Sequence, residues 1–410
     1  MSPRSDPPDH HDRRTRLATF AVFFVQGLTL ATLLAQIATL QGKHRLSDGE
    51  LSILLLVVPV VAGVGSVLAG ALATRHGSRT VLRVAQPLAC VAVVLAGLAS
   101  NVPQLVAANV VFGLGLGSVD AGMNMQGVTV ERRYGRPVLT GFHASWSAAA
   151  VLAALWASFA GSAGLGLPVT FGVAMAIGVV ISALAVPHLY GTAEEHVTSD
   201  VPGAPAGSAP VAWRAILPLC LAMAALYVGD ASVSNFGSVF MDTVLNASAA
   251  VIPLALAAYQ ATTFAVRAGG DLAVGRFGPA VIVRIGGVVA ALGFAVVVIA
   301  PNEPLAIAGF ALTGVGLSVV APQSFSAAGR LDPAGSGVAI ARVNMFNYVG
   351  FIVGAALVGG IAEAADYRVA FVAPLALAAL IVLLARGFDP RRAPAGPRSE
   401  RSDEQPLNSA

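Results

Sequence analysis

Asp230 stands in a long apolar stretch, with Tyr227 three residues before it and Ser234 four after it. At helical spacing the three side chains share one face. An ionisable group in hydrocarbon costs about 2.5–3.5 kcal/mol to insert, so Asp230 needs a partner or a task. The task open to it is binding a proton or a polar group of a solute. The plainer reading is an acid satisfied by neighbouring helices. Asp120 and Asn124 lie four apart in another apolar stretch, and His143 opens the next one. An Asp120–His143 pair would be either a site whose protonation follows pH or a static hydrogen bond between helices. Asn344 and Tyr348 share a face suited to hydrogen bonding with a hydroxylated solute, with Asn347 beside them. Arg342, near an end of the same stretch, reads as snorkelling. Gln26, Thr29 and Gln36 approximate one stripe, and Gln260 with Thr263 would join the same cavity. Arg267 and Asp271, four apart, read as a structural pair beside a gate.

These residues need elements that can hold them in lipid. Charged residues make up 11% of the 410-residue chain and hydrophobic residues 56%, with mean hydropathy +0.77; a soluble domain carries roughly 25% charge. A spanning helix needs about 20 apolar residues. Twelve such stretches are present: 17–40, 50–73, 80–99, 103–128, 138–161, 167–189, 213–240, 249–273, 281–300, 303–327, 337–360 and 368–386. Backbone groups in lipid must be satisfied locally, and the alternation of a barrel is absent, so the expected class is all-α. The division expected is a tail at 1–16, a six-helix bundle at 17–190, a polar Pro- and Gly-rich linker at 191–212, a second six-helix bundle at 213–387 and a disordered tail at 388–410.

The two bundles repeat each other 201 residues apart. Arg75-His76-Gly77 maps to Arg276-Phe277-Gly278, Arg83 to Arg284, and Gly113-Leu114-Gly115-Leu116 to Gly314-Val315-Gly316-Leu317. Thr29 maps to Asp230 and His143 to Asn344. A duplicated membrane unit is the usual architecture of secondary transporters. Basic residues crowd the segments on one side, whereas the other side holds only Lys43, Arg45 and Arg368. The positive-inside rule then puts both termini in the cytoplasm of a plasma (inner) membrane. The pI near 9.1 follows from that bias and does not indicate a nucleic-acid partner. Cys90 and Cys220 lie in different bundles, which argues against a disulfide or a metal site. The Gly113-x-Gly115-x-Gly117 run follows no strand and no Gly-Lys-Ser/Thr occurs, so a nucleotide loop is excluded and the glycines read as helix contacts.

Gly70-Ala71-Leu72-Ala73-Thr74-Arg75-His76-Gly77-Ser78-Arg79 resembles the Gly-x-Leu-x-Asp-Arg-x-Gly-x-Arg loop of the major facilitator superfamily, with a counterpart at Asp271–Gly278. The usual Asp is Thr74 in one copy and Gly275 in the other. A second stretch, Asp120-Ala121-Gly122-Met123-Asn124-Met125-Gln126-Gly127 running to Glu131-Arg132-Arg133, Gly135-Arg136-Pro137 and Phe142-His143, resembles a bacterial inner-membrane branch related to fucose permeases. The resemblance covers essentially the whole chain. It implies two pseudo-symmetric six-helix bundles working by alternating access, with Arg75, Gly77, Arg79, Arg276 and Gly278 in gating loops whose arginines meet acids or helix ends of the other half. The branch carries an acid and then Asp-Trp on the seventh span; here these are Asp230 and Asn235-Phe236, so one acid is lost.

The expectation is therefore a monomeric secondary carrier, not an enzyme, moving a small polar or sugar-like solute with protons and needing no cofactor or metal. The alternative in the other direction is a proton-antiport exporter, although the Gly-Pro motif that drug antiporters of the superfamily carry on the fifth span is missing. The alternative of another class is a non-transporting membrane sensor, against which no tail is long enough for a signalling domain.

Overall fold

The computed structural model describes residues 9–195, 211–248, 251–332 and 335–389, and among them the chain is helical with no strand. Of the expected tail at 388–410 only 388 and 389 are described, with Phe388 buried in a turn and not disordered; residues 390–410, the middle of the expected 191–212 linker (196–210) and residues 1–8 lie outside the described residues. Twelve helical passes form the body: α1 (His10–Ala35), α2 (Asp48–His76), α3 (Ser78–Leu98), α4 (Val102–Tyr134), α5 (Leu139–Ser162), α6 (Leu167–Ala185), α7 (Trp213–Thr243), α8 (Leu254–Phe277), α9 (Pro279–Ile299), α10 (Glu303–Leu317, continued by Val320–Leu331), α11 (Val338–Ala364) and α12 (Val372–Leu384, preceded by a turn at Tyr367–Ala370). Length and hydropathy alone single out eleven of these as able to cross a membrane. The exception is α8, which carries Tyr259, Gln260, Thr262, Thr263, Arg267 and Asp271. Its polar load is the cost of lining an aqueous space.

Two breaks have a local cause. Proline lacks an N–H, and its ring presses on the carbonyl four residues earlier. Pro322 therefore interrupts α10 at Ser318–Val319, and Pro374 interrupts the last pass after Ala370. The interruption at Ser318 leaves that carbonyl free of a helical donor, which matters for the site below. α1 begins earlier than the apolar stretch at 17, because Asp9 caps it by accepting from the Asp12 amide at 2.7 Å. Its first turn is tied to the segment after α6: the Tyr190 hydroxyl donates to Asp12 at 2.6 Å, and the Arg133 guanidinium lies 4.6 Å from the Tyr190 ring centroid. Burial, then the Asp12 carboxylate beside it, pushes the Tyr190 phenol well above its usual range.

The repeat seen in the sequence is repeated in three dimensions. Gly77 and Gly278 close the α2–α3 and α8–α9 turns at φ 76°, ψ 153° and φ 82°, ψ 155°; only glycine adopts that region cheaply. Asn101 and Asn302, also 201 apart, cap α4 and α10 at φ −146° and −150°. Every major packing pair has its image: α2–α4 and α8–α10, α1–α5 and α7–α11, α3–α4 and α9–α10, α3–α6 and α9–α12, α1–α6 and α7–α12. The two bundles meet along α2–α11 and α5–α8, again images of one another.

Small residues set how closely these helices approach. A Cβ on Gly117 of α4 would lie 1.8 Å from the Ala62 carbonyl oxygen of α2. Between the bundles, a Cβ on Gly70 would meet the Ala341 Cβ at 2.6 Å, whereas one on Gly63, two turns further along, would be 4.0 Å from the Tyr348 Cβ. The α2–α11 seam thus tightens toward the end of the body where α1 starts and α12 ends, the basic end. The lipid-facing ridge of α2 leaves Val60, Val64, Val67 and Leu68 about half exposed.

Gly117→Ala forces α2 and α4 apart and is expected to lower stability by about 1–3 kcal/mol, the usual cost of overpacking. Gly161→Ala, with no neighbouring atom within 4 Å, is the control. Thermal unfolding of both purified variants in detergent checks this, and an unchanged melting temperature for Gly117→Ala would show that the interface yields.

Candidate functional site

Two carboxylates sit on facing bundles near mid-body. Asp120 of α4 accepts from Gln26 Nε2 of α1 at 2.7 Å and from the Tyr348 hydroxyl of α11. The second of these bonds crosses from one bundle to the other. Asp230 of α7 accepts from the Tyr259 hydroxyl of α8 at 2.5 Å. Gln26, Tyr259 and Tyr348 are buried, while the two aspartates are half-buried, so water reaches them from one side. Tyr227, one turn before Asp230, lies within electrostatic reach of both carboxylates and of Arg267. Neither aspartate forms an ion pair. Among the described residues the salt bridges are His11–Glu194 and Arg133–Asp12, both at the basic end.

The expected Asp120–His143 pair does not form. Asp120 lies fourteen residues before the end of α4, about 21 Å along the axis, while His143 lies only about 6 Å into α5, so the two sit at different depths. The His143 ring instead packs against Phe23 and Phe325, with centroids 5.1 and 6.2 Å away, and its Nε2 is buried without a partner. The expected Arg267–Asp271 pair is also absent. Arg267 Nη1 donates to Ser147 Oγ of α5 at 3.0 Å, and its Nε reaches the Ser318 carbonyl freed by Pro322 at 3.4 Å. Asp271 is drawn across the seam: Oδ1 accepts from the Thr140 amide at 2.9 Å and Oδ2 from the Gly141 amide at 2.8 Å.

That contact belongs to a set of bonds joining the bundles at the basic end. A helix start leaves four amides without intrahelical acceptors. At α5 two carboxylates take all of them: Glu131 Oε2 accepts from Val138 and Leu139 at 3.0 and 3.1 Å, and Asp271 takes the next two. Glu131 also accepts from Ser326 of α10, and Arg132 donates to the Gly329 and Asp332 carbonyls at the end of α10. On the other seam Asn344 Nδ2 donates to Ser66 Oγ at 3.0 Å and Ser66 donates to the Ala341 carbonyl. Every side-chain bond between the bundles among the described residues lies at or below the Tyr348–Asp120 level. The bonds that join the bundles thus gather toward the basic end, and the α2–α11 seam widens away from it.

The gating loops are placed differently from expectation. Arg75 and Arg276 are exposed, the latter beside its own Phe277 ring, and Arg79 reaches the Leu189 carbonyl of its own bundle at 3.5 Å. None bridges the bundles. With Thr74 where the loop usually has Asp, the carboxylate is lost, and the Thr74 hydroxyl donates back to the Ala71 carbonyl. In the second copy position 275 is Gly, and the acid one turn deeper, Asp271, is the one whose carboxylate bonds across the seam. The first residues of the linker are built into the same end: Glu195 accepts from the Ser78 amide and hydroxyl at the start of α3 and from Gln126.

The remaining candidates divide. Thr29 faces the α1–α3 interface, donating to the Val25 carbonyl with Cys90 Sγ at 3.7 Å. Asn124 donates to the Asp120 carbonyl and Thr263 to the Gly314 carbonyl. Gln36 ends α1 and accepts from Thr39. Ser234 and Asn347 are half-buried and Gln260 is exposed. Arg342 lies over Trp213 and bonds the Val211 carbonyl, as a snorkelling residue would. Tyr259, Ser147, Ser66, Thr140 and Glu131 were not anticipated as site residues. Their one sequence signal is position, on the same spans and within a turn or two of residues that were.

A sequence profile described as Major Facilitator Superfamily matches residues 17–229 and again 219–409. The chain belongs to the Major Facilitator Superfamily. It is 29% identical over 372 residues to an uncharacterized transporter of Sinorhizobium fredii, covering 89% of this chain and 96% of the relative. It is also 29% identical over 370 residues to an uncharacterized MFS-type transporter of Yersinia pestis, covering 87% and 91%. Among solved structures it superposes on the MFS transporter FucP in the outward conformation, with TM-score 0.76 and 14% identity over 91% of this chain and 98% of that one. It superposes equally on the proton:xylose symporter XylE, with TM-score 0.74 and 14% identity over 91% and 94%. The protein is thus a multi-pass membrane transporter of the superfamily's two-bundle fold, a secondary carrier and not an enzyme.

Asp271→Ala removes the acceptor of two α5 amides across the seam. It is expected to weaken the closed gate by about 1–2 kcal/mol, the scale of a capping carboxylate. In a Cys90→Ser, Cys220→Ser background, spin labels at Arg83→Cys and Arg284→Cys report the separation of the bundles at the basic end. The distance distribution should shift to longer values in Asp271→Ala; an unchanged distribution would mean Asp271 caps α5 without latching it.

Proposed function

We propose that this carrier imports a small polar, hydroxyl-bearing solute together with protons, with both termini in the cytoplasm of the inner membrane. The positive-inside bias supports that orientation, and with it the structure is an outward-facing state whose vestibule ends on Asp120 and Asp230. The observation that carries the proposal is the way these carboxylates are held. Each is met by uncharged donors, Gln26 and Tyr348 for one and Tyr259 for the other, with no bonded cation. A carboxylate so placed is neutralised by a proton from the vestibule and not by the protein. The Tyr348–Asp120 bond also ties the bundles together, so a change at Asp120 acts on the seam itself. FucP and XylE, described as proton symporters of fucose and xylose, share the fold, which agrees with a sugar-like cargo.

Asp230→Asn and Asp120→Asn separate the roles. In proteoliposomes with an imposed inward pH gradient, the wild type is expected to accumulate cargo above its equilibrium level. Each neutralised variant should lose gradient-driven accumulation at least tenfold while still exchanging cargo across equal pH. If either variant still concentrates cargo as the wild type does, that residue is not the coupling site.

A further inference from the structure

We propose that the cargo carries one carboxylate, held by Arg267, so that the transported class is a hydroxylated monocarboxylate and not a neutral sugar. This rests on the carrier reading above and sharpens its cargo.

Arg267 lies ten residues before the end of α8, about 15 Å from the basic end, one turn above the Asp271 latch. It lies in the α5–α8 seam, about 6 Å nearer the basic end than Asp120 at 1.5 Å per residue, within electrostatic reach of Asp230. A guanidinium there is expensive in a membrane, and among the described residues it forms no ion pair. Its described contacts are the Ser147 hydroxyl and the Ser318 carbonyl, both uncharged. These use Nη1 and Nε. The other terminal nitrogen, Nη2, has no protein acceptor among the described residues and is not enclosed by the fold. The side chain is half-buried and pinned at two points, which leaves an oriented donor edge.

The repeat shows that the charge is not architectural. The image of Arg267 in the first bundle is Ser66, which makes the equivalent seam contact to Asn344 with no charge at all. The image of Asn344 is His143, and its buried Nε2 is unpartnered beside Arg267's seam. The α5–α8 seam therefore carries a guanidinium with one edge unused, pinned by a Ser147 hydroxyl that itself donates to the His143 carbonyl, where the α2–α11 seam has neutral groups closed upon each other. Guanidinium edges match planar carboxylates.

The neighbouring charges limit the anion. Asp230 lies within electrostatic reach of Arg267, and Asp120 stands across the floor. With Asp120 and Asp230 protonated, as the carrier reading requires for loading, the remaining cation balances a single negative charge and leaves a dianion such as a phosphate monoester with an uncompensated charge. The carboxylates' free lone pairs, beyond those taken by Gln26, Tyr348 and Tyr259, suit hydroxyl donors on the same solute.

The test is ligand-induced thermal stabilisation of the purified full-length carrier at fixed pH and ionic strength, titrated with D-galacturonate, D-gluconate, D-galactose and glucose 6-phosphate. A folded-state ligand raises the melting temperature by mass action. The expected result is stabilisation by at least one of the two sugar acids, with weaker or no response to galactose and to the phosphate. In Arg267→Gln the apparent affinity for the acid should fall roughly 10- to 100-fold, the worth of a charged hydrogen bond, while Arg267→Lys retains part of it. A purely structural arginine would lower the baseline melting temperature without changing the order of ligands. Stabilisation by galactose that survives Arg267→Gln, or by neither acid, overturns the carboxylate. Sugar-acid binding with no proton co-movement in liposomes would support the carboxylate and remove the proton from the reading above, so the two fail separately.

Discussion

The first turn of α5 presents four backbone amides that the helix cannot satisfy, and the closed state depends on what takes them. Within a membrane protein such groups have no water to fall back on once the bundles meet. One acceptor, Glu131, comes from the preceding helix and stays whatever the bundles do. The other, Asp271, comes from the opposite bundle and is lost when they part. Half of the cap is thus intramolecular scaffolding and half is a contact that exists only in one state. Arg132 and Ser326 work in the same direction, joining the α4–α5 corner to the end of α10. The closed end is held by hydrogen bonds to backbone and hydroxyls, with no ion pair in the seam among the described residues.

Internal duplication explains most of the fold and sharpens the meaning of its exceptions. Six packing pairs, two glycine turns and two asparagine caps obey the 201-residue register. The polar floor does not. Asp120 has Ala321 as its image, Arg267 has Ser66, and Tyr259 has Val58. Symmetry provides two bundles of one plan; its violations mark where polar and charged groups stand in one half alone.

The sequence made the architecture legible because apolar length and repetition are local or periodic signals. Spans, halves and the two gate turns follow from them directly. Asp230 and Asp120 were legible as costly groups, and Tyr348 as a polar residue on a shared face. What could not be read was which polar groups meet. The spacing of Arg267 and Asp271 permits a pair along α8, but the orphan amides of another helix compete for Asp271 and win. Asp120 and His143 lie on successive helices, yet α4 is 33 residues long and carries Asp120 far past the level of His143. Thr29, apparently aimed at the cavity, bonds its own helix. Contacts across a seam depend on relative depth, which no single-helix pattern contains.

Pro322 joins backbone shape to the charge of the vestibule floor. By breaking α10 it frees the Ser318 carbonyl, and that carbonyl steers the Arg267 side chain. The donor edge is therefore aimed by a bend in a neighbouring helix. Any movement that straightens α10 or slides it along α8 re-aims the guanidinium without touching the cargo. The same α10 carries the Gly329 and Ser326 contacts of the gate twelve residues or less further on. One bent rod thus spans the grip and the latch, so that letting go at one end and opening at the other are displacements of a single body.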